Sequence, residues 1–437
     1  MQTSQKTLNK VVISSLIGAT IEWYEFFVYG ILAGIVLNKL FFPSDDPSVS
    51  LMLAYATFAL GFLARPFGGI VFGHFGDKIG RKSMLVVTLM IMGLSTFAMG
   101  LLPTYEQIGL WAPALLLLAR MLQGIGLGGE WGGAVLMAYE YAPEDKRGFY
   151  TSIPSIGVAL GILLSAGTVA ILSAVMSDEA FMAWGWRIAF LITVFFILVG
   201  MWIRVNLHET PDFSEVKEEE TESKLPIAEI FQKYGKNTLL GLGARLMDGI
   251  FFNVFAVFSI TYLVSHVENV TRGDALVALM IGSAVLIVFT PIAGHLSDKM
   301  SRARLYAFGT IISAISVFPA FWGMMHSNGQ MWQIVLAIVV PYGILYSAVY
   351  GNTAAFLCDL FEPRVRYTGI SFVYQVTSVI AGLTPLVATY LIQRGGGTPW
   401  LVCGYVLLAG VISATCASII ARNGENASSG YRLARTR

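Results

Sequence analysis

Charge is scarce in this chain. Asp, Glu, Lys and Arg together make up 13% of 437 residues, against about 25% in an ordinary soluble domain, which excludes a water-soluble globular fold. Cysteine is nearly absent. Cys358, Cys403 and Cys416 lie in or beside apolar runs without metal-ligand spacing, so neither a disulfide framework nor a zinc site is indicated. No GxxxxGKS/T stretch is present to cradle phosphate, which argues against ATP as a driving force. Histidine is limited to 5 residues, and His74 and His295, in matching loops, read as surface side chains. No enzymatic constellation, metal or cofactor is therefore expected. The net charge of +1 gives no reason to expect nucleic acid as a partner. The opening segment, MQTSQKTLNK, is polar, and the helix after it lacks a small-residue cleavage site, so no cleaved signal peptide is expected.

What the chain has in quantity is apolar length: 56% of its residues are hydrophobic and its mean hydropathy is +0.69. Runs of about 20 apolar residues, the length that crosses a bilayer as a helix, recur near 11–40, 50–76, 83–102, 111–140, 149–176, 185–206, 238–265, 274–297, 304–325, 331–359, 368–393 and 398–421. Segments of alternating polarity, as in membrane barrels, are missing. The expected fold is an all-α membrane protein of twelve transmembrane helices, since a helix satisfies every backbone polar group within one segment. Basic residues fix its orientation. Lys78, Arg81, Lys82, Lys146, Arg147, Lys299, Arg302, Arg304, Arg364 and Arg366 fall in loops on the side shared by both termini, and few others on the opposite side. By the positive-inside rule the termini are expected in the cytoplasm.

One long polar stretch, LHETPDFSEVKEEETESKLPIAEIFQKYGK, divides the chain. The expected organisation is a six-helix bundle over 1–206, a cytoplasmic linker over 207–236, a second six-helix bundle over 237–421 and a cytoplasmic tail over 422–437. Internal similarity supports the division. GHFGDKIGRK (73–82) matches GHLSDKMSRAR (294–304), aligning Asp77 with Asp298; EYAPEDKR (140–147) matches DLFEPRVR (359–366). An offset of about 220 residues relates both pairs, the mark of two parallel repeats with a binding site near the midplane.

Asp77-Lys78 with Gly80-Arg81-Lys82 resembles the loop signature of the major facilitator superfamily, and Arg120-Met121-Leu122-Gln123-Gly124 resembles its fourth-helix motif. Within it, IEWYEFFVYG, RPFGGIVFGHFGDKIGRK, RMLQGIGLGGEWGGA, WGWRIAF, RVNLHETPDF and YQVTSVIAGLTP together resemble the metabolite:proton symporter family. The resemblance implies import of organic acids, shikimate or betaine-type osmolytes. It departs from the family at Ala189, where proline is frequent, and at Ser301 and Ala303, which weakens the expectation of a gate at the second loop. In the resembling family the Asp77 loop latches the outward-open state. Gating roles are accordingly expected for Asp77, Arg81 and Asp298. Glu140 with Arg147, and Asp359 with Arg366, are expected to form further locks.

The remaining signal is charge inside the membrane, which costs about 2.5 to 3.5 kcal/mol per residue at a helix centre and so marks a polar interior. The set is Glu22, Glu25, Arg65, Arg120, Glu130, Arg245 and Asp248. Glu22, Glu25 and Tyr29 share one helix face, as do Arg120 and Gln123. Glu25 is expected to face Arg120 and to alternate between an ion pair and a neutral acid, with Glu22 as the other candidate for the proton. Arg65 and Arg120 are candidates for a substrate carboxylate. Tyr29, Gln123, Arg245 with Asp248, Tyr374 and Gln375 are further candidate substrate contacts, although an intrahelical Arg245 to Asp248 pair fits the spacing equally. Tyr342, Tyr346 and Tyr350 form a stripe four residues apart. Gly124, Gly128 and Gly132 are read as positions of close helix approach.

The expectation is a monomeric bacterial inner-membrane symporter importing a small organic acid with protons, the proton being its only coupling partner. The rivals are an importer of proline or betaine, a metabolite exchanger, a drug exporter and a membrane sensor. The short tail ARNGENASSGYRLARTR has no heptads, which disfavours the osmolyte importers that carry a C-terminal coiled coil.

Overall fold

The computed structural model describes residues 5–205 and 226–435. Among the described residues, twelve helices are long and apolar enough to cross a membrane, and no strand occurs. They are α1 (Thr7–Phe41), α2 (Ala56–Ile79), α3 (Arg81–Leu101), α4 (Trp111–Tyr141), α5 (Glu144–Val175), α6 (Asp178–Ile203), α7 (Gly235–His266), α8 (Gly273–Lys299), α9 (Arg302–Met325), α10 (Met331–Cys358), α11 (Arg366–Arg394) and α12 (Trp400–Asn423). Each coincides with one of the apolar runs. The expected linker lies outside the described residues over 207–225, and its last part forms a short helix, Pro226–Gln232. Backbone expected as a tail continues the last helix, which runs Trp400–Arg435.

Four spans contain a π-type turn, which inserts one residue and rotates the side chains beyond it. Two of these, Ala33–Leu37 in α1 and Val254–Phe258 in α7, fall at corresponding positions of the two repeats. The others are Phe181–Gly185 in α6 and Val339–Leu345 in α10. The α10 turn contains Pro341, which has no N–H to give, and there the Tyr346 N–H bonds back to the Pro341 carbonyl at 2.9 Å.

Packing divides the chain into two compact units. Unit 1 comprises Met1–Tyr141, Pro154–Ile227 and Pro363–Gln375; unit 2 comprises Ala142–Ile153, Ala228–Glu362 and Val376–Arg437. The cut therefore departs from the simple halves read from the repeat: the first turns of α11 belong to unit 1, and the start of α5 belongs to unit 2. The acids that hold those two helix starts, described below, give the physical reason.

Inside unit 1, α4 lies against α2 with almost nothing between the backbones. A Cβ at Gly124 would meet the carbonyl of Gly61, and one at Gly128 the carbonyl of Arg65. Both glycines are close-approach positions, as their four-residue spacing suggests. Gly128→Val is expected to abolish assembly, because the obstacle is backbone and cannot rotate away; overpacking of softer sites already costs about 1–3 kcal/mol. Gly167→Ala, with nothing within 4 Å, is the control. Yield of monodisperse protein in detergent checks both, and normal yield of Gly128→Val would refute the packing argument.

Candidate functional site

At the end of α2, Gly80 adopts φ 125°, which only glycine takes without strain, and the chain reverses into α3. Asp77 is thereby aimed at the first turn of α11. Its carboxylate accepts the backbone N–H groups of Tyr367 (3.3 Å) and Thr368 (2.9 Å) and the Thr368 hydroxyl (2.8 Å). These are donors that a helix start leaves without intrahelical partners, and the dipole there favours an anion. Arg81, fully buried, lies 3.4 Å from Asp77 and 3.6 Å from Glu140, and donates to the Pro363 carbonyl at 2.8 Å. Glu140 in turn pairs with Arg366 at 3.2 Å.

Unit 2 repeats this design. Asp298 accepts the N–H groups of Gly148 (2.6 Å) and Phe149 (2.8 Å), where Arg147 begins the α-helical part of α5. Arg302 bonds Asp298 at 3.1 Å and both oxygens of Asp359 at 2.9 and 2.8 Å. The acids of the expected locks have partners inside their own units. Glu140 takes Arg81 and Arg366, and Asp359 takes Arg302. The reason is geometric: Arg81 and Arg302 each stand four residues after the capping aspartate, and so reach both it and the acid at the end of the fourth span of the repeat. The second loop, despite Ser301 and Ala303, builds the same network as the first, because it keeps the arginine that matters.

Within the span region of unit 1, Glu22, Glu25, Arg65, Arg120, Gln123 and Glu130 are all buried. Glu25 and Arg120 do not pair. Among the described residues Arg120 makes no ion pair, and its guanidinium carbon lies 4.2 Å from the centre of the Phe26 ring, 4.5 Å from Tyr29 and 4.8 Å from Phe58. Its Nη1 donates to the Gln123 side-chain oxygen, whereas its Nε and Nη2 have no hydrogen-bond partner. Gln123 is what stands between. Its Nε2 donates to the Glu25 backbone carbonyl at 3.0 Å and to the Thr96 hydroxyl at 2.7 Å. Thr96 in turn lies 3.4 Å from Glu25 Oε2. An amide of α4, satisfied at both ends, thus fills the space an ion pair would occupy.

Arg65 is held differently. Its Nε donates to Gln375 Oε1 at 2.9 Å, and its guanidinium lies within 5.3–5.9 Å of the Phe62, Trp23 and Phe26 rings. Gln375 also donates to the Gly128 carbonyl at 2.9 Å, so both ends of that amide are engaged. Beside it, Tyr374 stacks on Trp131 with ring centres 3.7 Å apart. Glu130 receives the hydroxyl of Thr88 on α3.

The span region of unit 2 holds a separate cluster. Arg245 and Asp248 form the intrahelical pair, at 3.7 Å. Arg245 also donates to Thr377 at 3.1 Å, and Asp248 receives the hydroxyls of Tyr346 and, at 3.4 Å, of Thr353. Tyr342, Tyr346 and Tyr350 stack in series with centres 6.0 and 5.6 Å apart.

A family model described as the Major Facilitator Superfamily matches residues 251–430, and one described as Sugar (and other) transporter matches residues 10–238. The inner membrane metabolite transport protein YhjE of Escherichia coli (strain K12) is 39% identical over 387 residues, 88% of each chain. The chain belongs to the major facilitator superfamily. Other relatives are the shikimate transporter of the same organism, 34% identical over 96% of this chain and 95% of that one, and its proline/betaine transporter, 34% identical over 88% and 78%. The solved structure of the proton:xylose symporter XylE bound to 6-bromo-6-deoxy-D-glucose superposes with a TM-score of 0.75 at 15% identity, covering 95% of this chain and 96% of that one.

As a member of this superfamily the chain is a multi-pass membrane transporter of metabolites and not an enzyme. Three residues that shape its polar clusters escape a reading of the sequence. Thr88 and Thr96 sit in an apolar third span where a hydroxyl carries no periodic signal, and Trp131 looks like any packing aromatic. Arg302 was legible, since the repeat offset sets it opposite Arg81.

Proposed function

We propose that this transporter imports a small organic acid together with protons across a bacterial inner membrane by alternating access, with both termini in the cytoplasm. One observation carries the reading: the buried guanidinium of Arg120 faces three aromatic rings and one amide but, among the described residues, no carboxylate. A buried charge left without a partner is costly, and the N–H groups still available, on Nε and Nη2, lie along the guanidinium edge that takes a carboxylate through two parallel hydrogen bonds. The substrate anion completes the pairing. In unit 2 the acid that might have received an ammonium, Asp248, already has Arg245 and Tyr346, which favours an anion over a zwitterion. The likeness to a shikimate transporter agrees with this class. Glu25, with Glu22 three residues before it, is the proton carrier. The Asp77 and Asp298 networks hold helix starts closed at the cytoplasmic side and release them when the transporter turns inward.

The test is uptake into proteoliposomes of shikimate, benzoate, succinate, proline and betaine. A monoanion moving with one proton carries no net charge, so a pH step inward should drive accumulation, about tenfold per unit, while the membrane potential should not. Accumulation of proline or betaine but of no acid would overturn the substrate class. Acid uptake indifferent to the pH step would overturn the coupling.

A further inference from the structure

The chain Arg120, Gln123, Thr96, Glu25 contains a hydroxyl with two alternative acceptors. Thr96 Oγ lies 2.9 Å from the Met92 carbonyl of its own helix and 3.4 Å from Glu25 Oε2, while it accepts the Gln123 amide at 2.7 Å. All four side chains are buried, and Thr96 has a single proton to give. An ionised Glu25 attracts that proton; a protonated Glu25 releases it to the Met92 carbonyl. Either choice changes how strongly the hydroxyl accepts from Gln123, and the other end of the same amide takes a hydrogen bond from Arg120.

We propose that Thr96 is a positioning residue that links the occupancy of Arg120 to the proton on Glu25, acting through Gln123. The proposal rests on the reading of Arg120 as the anion site and Glu25 as the proton carrier, and adds the route between them. The other buried titratable groups on these elements are Glu22, Tyr24 and Tyr29 on α1, Arg65 and Asp77 on α2, and Arg120, Glu130, Tyr139, Glu140 and Tyr141 on α4. The third span contributes none after Lys82, α5 none between Gly157 and Val175, and α6 none between Ile188 and Ile203. A path of hydrogen bonds runs from Arg120 through Gln123 and Thr96 to the Glu25 carboxylate.

The proposal is tested on the full chain in bilayers by following the carbonyl stretch of the protonated Glu25 in infrared difference spectra, assigned by its loss in Glu25→Gln. In the wild type, saturating shikimate or benzoate should shift the pH midpoint of that band. Thr96→Val, equal in shape but without the hydroxyl, should abolish the shift, and Thr96→Ser should restore it. Gradient-driven accumulation by Thr96→Val should fall about tenfold, within the usual range of site-to-site coupling, while counterflow without a gradient persists. A wild-type shift retained in Thr96→Val overturns the proposal alone. Absence of any shift in the wild type, with both acids, overturns it together with the functional reading. If Thr96→Val fails to assemble, Thr96→Ala is read by the same criteria.

Discussion

Arg120→Lys is expected to lose about a hundredfold in carboxylate transport, because the interaction at risk is a charge-assisted bond worth about 1.5–3 kcal/mol. The charge survives the substitution; the geometry does not. A guanidinium is flat, and here it lies 4.2–4.8 Å from three ring centres while one nitrogen holds Gln123. Its two unpartnered nitrogens, Nε and Nη2, stay coplanar, the geometry that both oxygens of a carboxylate match. An ammonium is a point donor on a longer leash, more strongly hydrated, and it cannot hold Gln123 and two carboxylate oxygens in one plane. The cation–ring attraction, about 0.5–2 kcal/mol, weakens with it. Equilibrium counterflow of shikimate reads the binding and reorientation steps without a proton gradient. Transport by Arg120→Lys within about twofold of the wild type would show that no bidentate contact is made at this residue.

How much of this was legible in the sequence differs by level. The twelve spans follow from apolar length alone, since nothing but a helix closes its own backbone bonds in lipid, and the paired loops follow from the repeat. The gating role expected of Asp77 names no partner, and its partners, the N–H groups of Tyr367 and Thr368 together with Arg81, emerge only from the fold. Side-chain pairing inside the membrane was much less legible. Spacing places Glu25, Arg120 and Gln123 on facing stripes without saying which polar group reaches first, and the amide of Gln123, one turn from Arg120 on the same helix, intercepts the contact expected of the carboxylate. Arg245 and Asp248, three residues apart on one helix, pair because they need no neighbour to meet. Local spacing decides local pairs; contacts across helices depend on rotations of a few tens of degrees, which π-type turns such as Val254–Phe258 can supply and which the sequence does not announce.

The two loop networks should differ in strength although they share a plan. Asp77→Asn keeps the shape of the side chain but turns one carboxylate oxygen into an amide, which then confronts the Tyr367 or Thr368 N–H with a second donor, and it removes the charge beside Arg81. Arg81 is fully buried and keeps Glu140 only at 3.6 Å; breaking one partner of a buried pair costs about 3–5 kcal/mol. Asp298→Asn disturbs a softer site. Arg302 is 16% exposed and retains two short bonds to Asp359, itself 40% exposed, so solvent screens the loss and the cost should fall toward about 1 kcal/mol. Thermal melting of the purified variants should therefore show a clearly larger drop for Asp77→Asn than for Asp298→Asn. Shikimate counterflow should change in the same order, because a helix start that is no longer capped shifts the balance between the open and closed cytoplasmic side. Equal drops in melting temperature would mean that burial of Arg81 does not decide the matter, and that the helix-start hydrogen bonds, common to both aspartates, carry the whole effect.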